Sequence, residues 1–397
     1  MVTTFFSIPP EIIYNILNWL SSDVLSLRRC SLVSSSFLFY CRKLLFAEIY
    51  LVDPSTCRRL YTAVAGNLSL ANYICSLEVI SGSHDKYRSR RWVTVEHTLA
   101  PLLQMLHNLQ RFTLRDEIYL SWGNLPSQLR LSICHLSAST LTLSFIENIP
   151  IRQLLGRNVM LKRLTLKNCK PQYTNSLQLF GRPSPFEDAI KTGYLESLRI
   201  RSSPGCWEEL YTTLVHEDAH LLLTRLKYLE IPGNPGHLIF EVAGKALQEI
   251  VLTGLGEAKA APIYDFLPSF DALPSLLSFS ISTKFSRGRT NDPLPPLAHA
   301  LSHTQDTSVL MYLNIYIDFH DVWKFAITSR DADAVDRYEF WPALDRALTR
   351  PPVFSNLVRV NITLNIGGGS QAFATLPDRR LRGLMDMDLL KVQFTEK

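Results

Sequence analysis

The sequence contains no Cys-x-x-Cys pair. Its seven cysteines, Cys30, Cys41, Cys57, Cys75, Cys134, Cys169 and Cys206, are odd in number and widely spaced, so neither a disulfide framework nor a zinc ribbon is expected. No apolar run approaches the roughly 20 residues that cross a bilayer. Met1–Ser7 carries no basic stretch, and Pro9, Pro10 and Glu11 break the apolar segment that follows, which argues against a secretory signal. A phosphate-binding loop is missing too, because Gly367-Gly368-Gly369 has no Lys-Ser or Lys-Thr after it. Charge of one sign is not in excess: the net charge is +5 over 397 residues and is spread along the chain. Bulk electrostatics therefore demand neither nucleic acid nor an anionic membrane as partner. These absences leave a reduced cytoplasmic or nuclear protein with no cofactor expected, in which the sequons at Asn67 and Asn361 are incidental.

What is present is a core. With 46% hydrophobic and 19% charged residues, the chain is apolar enough to fold and long enough for two or three domains. From Ile8 it reads Ile-Pro-Pro-Glu-Ile-Ile-Tyr-Asn-Ile-Leu-Asn-Trp-Leu, with proline where a first helical turn misses no donor. Ile12, Ile13, Ile16, Leu17 and Leu20 fall at helical spacing. Ser21, Ser22 and Asp23 supply cap chemistry before a second helix through Val24, Leu25, Leu27 and Cys30, and Ser34–Ser36 allow a break before a third. Three helices in about forty residues are below the size at which a core stabilises itself, so the surplus apolar side chains call for a partner. The alternative is a helical cap on the next domain.

The order of these residues resembles the F-box family. Ile8-Pro9 stands at its Leu-Pro, Ile12, Ile16 and Leu20 at its first-helix aliphatics, and Asp23-Val24-Leu25 at its Asp-Leu-Leu. Leu27-Arg28-Arg29-Cys30-Ser31-Leu32-Val33-Ser34, Phe37 and Leu45-Phe46-Ala47-Glu48-Ile49 look like the version common in fungal members; Phe37 departs from the tryptophan many members carry. The resemblance implies an F-box over residues 1–50 that docks a Skp-type adaptor and, through it, a cullin-RING ubiquitin ligase. It places Pro9, Ile12, Ile16, Leu20, Leu25 and Val33 among the adaptor contacts.

Beyond residue 70 one pattern recurs: an aliphatic residue, two others, an aliphatic, one other, an aliphatic. It appears at Ile74-Leu77-Val79, Leu109-Phe112-Leu114, Leu161-Leu164-Leu166, Leu195-Leu198-Ile200, Leu226-Leu229-Ile231, Leu247-Ile250-Leu252, Leu276-Phe279-Ile281, Leu310-Leu313-Ile315, Leu357-Val360-Ile362 and Leu389-Val392-Phe394, with a weaker Leu141-Thr142-Leu143. The period is loose. Helical patterns fall between rungs at Trp92–His107, Trp207–Leu223, Leu297–His303 and Ala334–Leu348, the last kinked or restarted at Pro342; Arg182–Pro185, Ser286–Pro296 and Gly367–Ser370 read as loops. The expected fold class is α/β: the three-helix module, then over residues 51–397 an irregular solenoid with parallel strands on one face and helices and loops on the other. A non-repeating α/β domain is the alternative. The repeat resembles the leucine-rich repeats that follow the F-box in many substrate receptors, although the asparagine after the strand in regular repeats is mostly absent.

If the rungs stack in register, residues flanking the anchors form columns on the strand face. One runs Arg111, Thr140, Arg163, Ser197, Tyr228, Glu249, Ser278, Tyr312; another runs Arg115, Ser144, Lys167, Arg201, Pro232, Thr253, Ser282, Tyr316, and Arg199 lies between them. Arg111, Arg115, Arg163, Lys167, Arg199 and Arg201 suggest an anion-favouring concave patch for an acidic or phosphorylated target protein, with Tyr312 and Tyr316 adding aromatic contact. Ordinary solubilising surface is the alternative.

Rival chemistry is sparse. His216-Glu217-Asp218-Ala219-His220 matches the H-E-x-x-H arrangement that binds zinc and activates water, with Glu241 a conceivable third ligand. Asp218 is out of place for that role, and Leu221–Leu223 leads straight into the next rung. His299 and His303 share the spacing without an acid between them. His84–Trp92 is basic with aromatics interleaved and reads as a solvated loop rather than a nucleic-acid contact. The reading is a non-catalytic receptor subunit, with a scaffold outside ubiquitination and a zinc peptidase as the alternatives.

Overall fold

The computed structural model describes residues 9–82, 91–156, 158–172, 193–215, 221–233, 237–255, 270–284, 294–305, 307–318, 339–365 and 376–395. The chain divides into two units, Met1–Leu161 with Asn168–Asp188, and Lys162–Lys167 with Ala189–Lys397.

In the first unit three helices lead: α1 (Pro10–Trp19), α2 (Val24–Cys30) and α3 (Ser35–Ala47). Pro10 opens α1 where its missing N–H costs nothing. Asp23 caps α2 by accepting from the Leu25 and Ser26 amides at 3.1 and 3.0 Å, and Ser34 caps α3 through the Phe37 amide at 3.3 Å. Then come β1 (Glu48–Leu51), α4 (Pro54–Gly66), β2 (Ser76–Ile80), α5 (Leu99–Met105), β3 (Arg111–Ser121), α6 (Ser127–Cys134), β4 (Thr140–Glu147) and α7 (Ile151–Gly156).

The second unit holds β5 (Arg163–Lys167), β6 (Gly193–Tyr194), β7 (Ser197–Arg201), α8 (Pro204–Val215), β8 (Leu221–Leu222), β9 (Tyr228–Pro232), α9 (His237–Ala243) and β10 (Glu249–Leu255). It continues through β11 (Ser278–Lys284), α10 (Leu294–His303), β12 (Tyr312–Asp318), α11 (Phe340–Leu348), β13 (Arg359–Asn365), α12 (Leu376–Arg380), α13 (Arg382–Asp386) and β14 (Leu390–Thr395).

The fold is α/β. In the first unit β1, β2, β3 and β4 form a parallel sheet in that order; in the second, parallel strands run in the order β5-β7-β9-β10-β11-β12-β13-β14, while β6 and β8 pair separately. Parallel neighbours need a crossover, which the intervening helices and loops provide. The rung anchors point inward: Leu77, Phe112, Leu143, Leu166, Leu198, Leu229, Ile250, Phe279, Leu313 and Val360 are all buried. The last of these rungs differs, because Leu389, Val392 and Phe394 are half-buried on or beside the terminal strand β14.

Several expectations shift. The strand β1 straddles residue 50, the expected end of the amino-terminal module, and pairs with β2 through Ile49 opposite Leu77 and Leu51 opposite Val79. Phe46-x-x-Ile49-x-Leu51 is thus a rung in its own right. The helix expected over Trp92–His107 is split into a short turn at Trp92–Thr94 and α5. The buried Trp92 indole donates to the Ile80 carbonyl at 2.8 Å, and the Glu96 carboxylate turns back to accept from the Thr98 amide at 3.0 Å, competing with helix formation there. The helix expected from Trp207 starts earlier, at Pro204, and ends at Val215, with Leu221–Leu222 in a strand. Pro342 sits in the first turn of α11, where it is tolerated, rather than kinking a longer helix. Ile8, the loops at Arg182–Pro185 and Gly367–Ser370, and most of Ser286–Pro296 lie outside the described residues.

Candidate interaction surfaces

The apolar residues of α1 divide into two stripes one helical step apart. Ile13 and Leu17 are buried with Leu27 and Cys41, and Leu20, Cys30, Phe37 and Leu44 pack against that cluster. Ile12, Ile16 and Trp19, at the same spacing, face outward, with Trp19 88% exposed. Leu25 and Val33 are two-thirds exposed, and Leu32 is 87% exposed. Of the residues expected on a docking face, Pro9, Ile12, Ile16, Leu25 and Val33 are therefore open, while Leu20 leans into the cluster. Trp19 and Leu32 were not expected there; their signal is that each falls on the outward stripe or loop once Ile13, Leu17 and Leu27 are assigned inward.

On the strand face the expected columns are in register. Arg111 stands opposite Thr140, Arg163 opposite Ser197, Tyr228 opposite Glu249, and Ser278 opposite Tyr312; Lys167 stands opposite Arg201 and Ser282 opposite Tyr316. Within these columns the cations find acids. In the first unit Arg111 is ion-paired with Glu48 on β1, and Arg115 with Glu78 on β2 at 3.1 Å. In the second unit the Arg201 guanidinium donates to both oxygens of the buried Glu230, at 2.6 and 2.9 Å, and Tyr228 donates to the same carboxylate at 2.9 Å. The hydrogen bond to Glu230 raises the Arg201 pKa above its ordinary value. Burial, then the Glu230 carboxylate, pushes the Tyr228 hydroxyl up to about 12. Arg199 lies over the Tyr228 ring at 4.3 Å. Arg163 and Lys167 are exposed.

Farther along, the face changes character. Tyr312 is partly exposed, and the half-buried Tyr316 has its pKa raised by burial and by Asp318. Ser280, Asn314, Asn361 and Lys391 form one row across β11, β12, β13 and β14; Ser282, Tyr316, Thr363 and Gln393 form the next. Asn314 Nδ2 donates to Ser280 Oγ at 3.0 Å, and Asn361 Nδ2 donates to Asn314 Oδ1 at 2.8 Å.

The histidine motif at 216–220 lies outside the described residues, as do residues 84–90 of the basic segment. Arg91 instead braces a bulge in β3, pairing with Asp116 at 2.7 Å and donating to the Ile118 and Tyr119 carbonyls. The His299 and His303 rings stack at 3.9 Å on α10, and no cluster of three or more His, Cys, Asp or Glu suited to a metal occurs among the described residues. No disulfide joins any of the seven cysteines, all of which are described, and burial pushes the Cys57 thiol up to about 11, away from the thiolate that reacts. No helix among the described residues is long and apolar enough to cross a membrane. The chain matches no model of a known protein family, and no curated protein matches it by sequence.

Proposed function

We propose that the chain is a non-catalytic substrate receptor of F-box type, joined through residues 9–47 to a Skp-type adaptor and through it to a cullin, with a leucine-rich solenoid that holds a target protein. One observation carries this reading: three short helices bury only a small cluster while Ile12, Ile16, Trp19, Leu25, Leu32 and Val33 stay open to solvent. A contiguous apolar surface of this kind marks a protein-interaction site. Exposed aromatic and aliphatic side chains beside it act as anchors once a partner removes water from them. Simultaneous capture of adaptor and target would raise the effective concentration of target lysines near a ubiquitin-charged enzyme.

The test is an Ile16→Asp/Leu25→Asp double variant, chosen because both side chains point away from the buried cluster. Co-purification with a Skp-type adaptor should fall by at least about 100-fold, with thermal unfolding unchanged. Adaptor binding equal to the unaltered chain would sink the assignment. Recruitment of a cullin by the adaptor-bound chain separates a ligase receptor from a scaffold acting outside ubiquitination.

A further inference from the structure

Of the six cations expected to recognise an anion, Arg111, Arg115 and Arg201 each hold a carboxylate from another strand. A phosphorylated segment would have to displace Glu48, Glu78 or Glu230 to reach those three arginines, exchanging one ion pair for another. The second unit offers a different surface. A groove of about 470 Å³ opens over β10 to β14, and of its described lining residues Lys391 alone is charged.

The rest of that lining combines amide and hydroxyl side chains with the aliphatic Val251, Ile281 and Ile315. In the row from Asn361 through Asn314 to Ser280, each amide uses one N–H within the row, leaving a second N–H and carbonyl capacity on each asparagine. Two rows further, Asn365 is buried, its Nδ2 donating to Asp318 Oδ1 at 2.9 Å. Strands about 4.8 Å apart put Ser280 and Lys391 roughly 14 Å from one another, the span of about four extended residues.

Resting on the receptor reading above, we propose that this groove is the target-docking site. Its occupant is an extended peptide segment rich in Asn, Gln, Ser or Thr and uncharged except for one carboxylate at the Lys391 end. Backbone and side-chain amides of such a segment present donors and acceptors in alternation, which a row of asparagines can answer step by step. Phosphate is not required.

The experiment pans the full chain against a displayed library of random heptapeptides with free carboxyl termini, then measures the enriched peptide by fluorescence anisotropy. Enrichment of Asn, Gln, Ser and Thr beside one carboxylate is expected. Asn314→Leu and Asn361→Leu should each weaken binding about tenfold or more, and the exposed Lys391→Ala, which leaves the strand anchors in place, about threefold to tenfold; Arg199→Glu should leave it unchanged. Phosphorylating the peptide's serines should bring no gain. An acidic or phosphate-dependent consensus, binding that survives all three groove substitutions, failure to enrich any peptide, or capture of neutral oligosaccharides instead would each overturn the proposal. Adaptor capture is measured separately: intact adaptor binding without peptide binding removes the groove assignment alone, and the converse removes the docking-helix assignment alone.

Discussion

The amino-terminal helices and the strands of the first unit spend apolar residues in opposite ways. Along α1, aliphatic side chains at helical spacing face outward as often as inward, and only Ile13 and Leu17 are fully enclosed. Along β2, β3 and β4, alternate residues go inward without exception at the anchors, because each strand has neighbours in the sheet and Leu99, Leu102, Leu129, Ile133 and Leu154 are buried on the helices of the crossovers. A parallel sheet finishes its own core; three short helices leave theirs unfinished. The lesson is that exposed hydrophobicity in residues 10–47 reflects a missing layer, the one that the proposed adaptor would supply.

The largest predicted effect tests that contrast directly. Phe112→Ala on β3 should cost about 3–5 kcal/mol, seen as a lower denaturant midpoint, whereas Trp19→Ala should stay within about 0.5 kcal/mol. Equal losses would erase the distinction. Next comes Glu230→Ala, which removes the acceptor of Arg201 and Tyr228 and should cost about 2 kcal/mol. The same variant should return Tyr228 ionisation from about 12 toward the ordinary tyrosine value, followed by ultraviolet absorbance. Because the folded value is the raised one, the Tyr228 contribution is full below the unfolded pKa near 10 and is lost as pH rises through about 12. A smaller effect is expected at Asp53, which caps α4 by accepting from the Thr56 amide at 2.9 Å. Asp53→Ala should cost about 1 kcal/mol at neutral pH. The Ser55 and Thr56 hydroxyls hold the Asp53 carboxyl down at about 2, so this contribution is present above the ordinary value of 3.8 and disappears as pH falls through about 2. Chemical denaturation of both proteins at neutral pH and near pH 2 checks it.

How much was legible depended on the range of the interaction. The anchors could be read because Leu195, Leu198 and Ile200, like their counterparts, keep one fixed offset that strand geometry demands. The columns followed from them. The charge balance did not, since Arg111 meets Glu48 and Arg201 meets Glu230 across strands far apart in sequence, and no local pattern announces those pairs. Likewise the rung at Phe46, Ile49 and Leu51 carries the full repeat signature, but it overlaps the tail of the amino-terminal motif, which claimed the same residues first. The break in the Trp92–His107 helix came from Glu96 binding the amide of Thr98, a choice between two local hydrogen bonds that periodicity cannot decide. The amide row was readable in principle: Ser280, Asn314 and Asn361 occupy the middle column, the one in which only Arg199 drew notice.

Lys391 has a second consequence. It lies on β14, which ends the strand order of the sheet, so one side of that strand presents backbone N–H and C=O groups without a neighbouring strand among the described residues. Such an edge is a template for indiscriminate strand addition. The exposed ammonium of Lys391 sits within Leu-Lys-Val-Gln-Phe-Thr, an otherwise uncharged segment of high β-propensity, where an incoming chain must strip water from it before pairing. The same side chain that marks one end of the groove thus also works as a gatekeeper against aggregation.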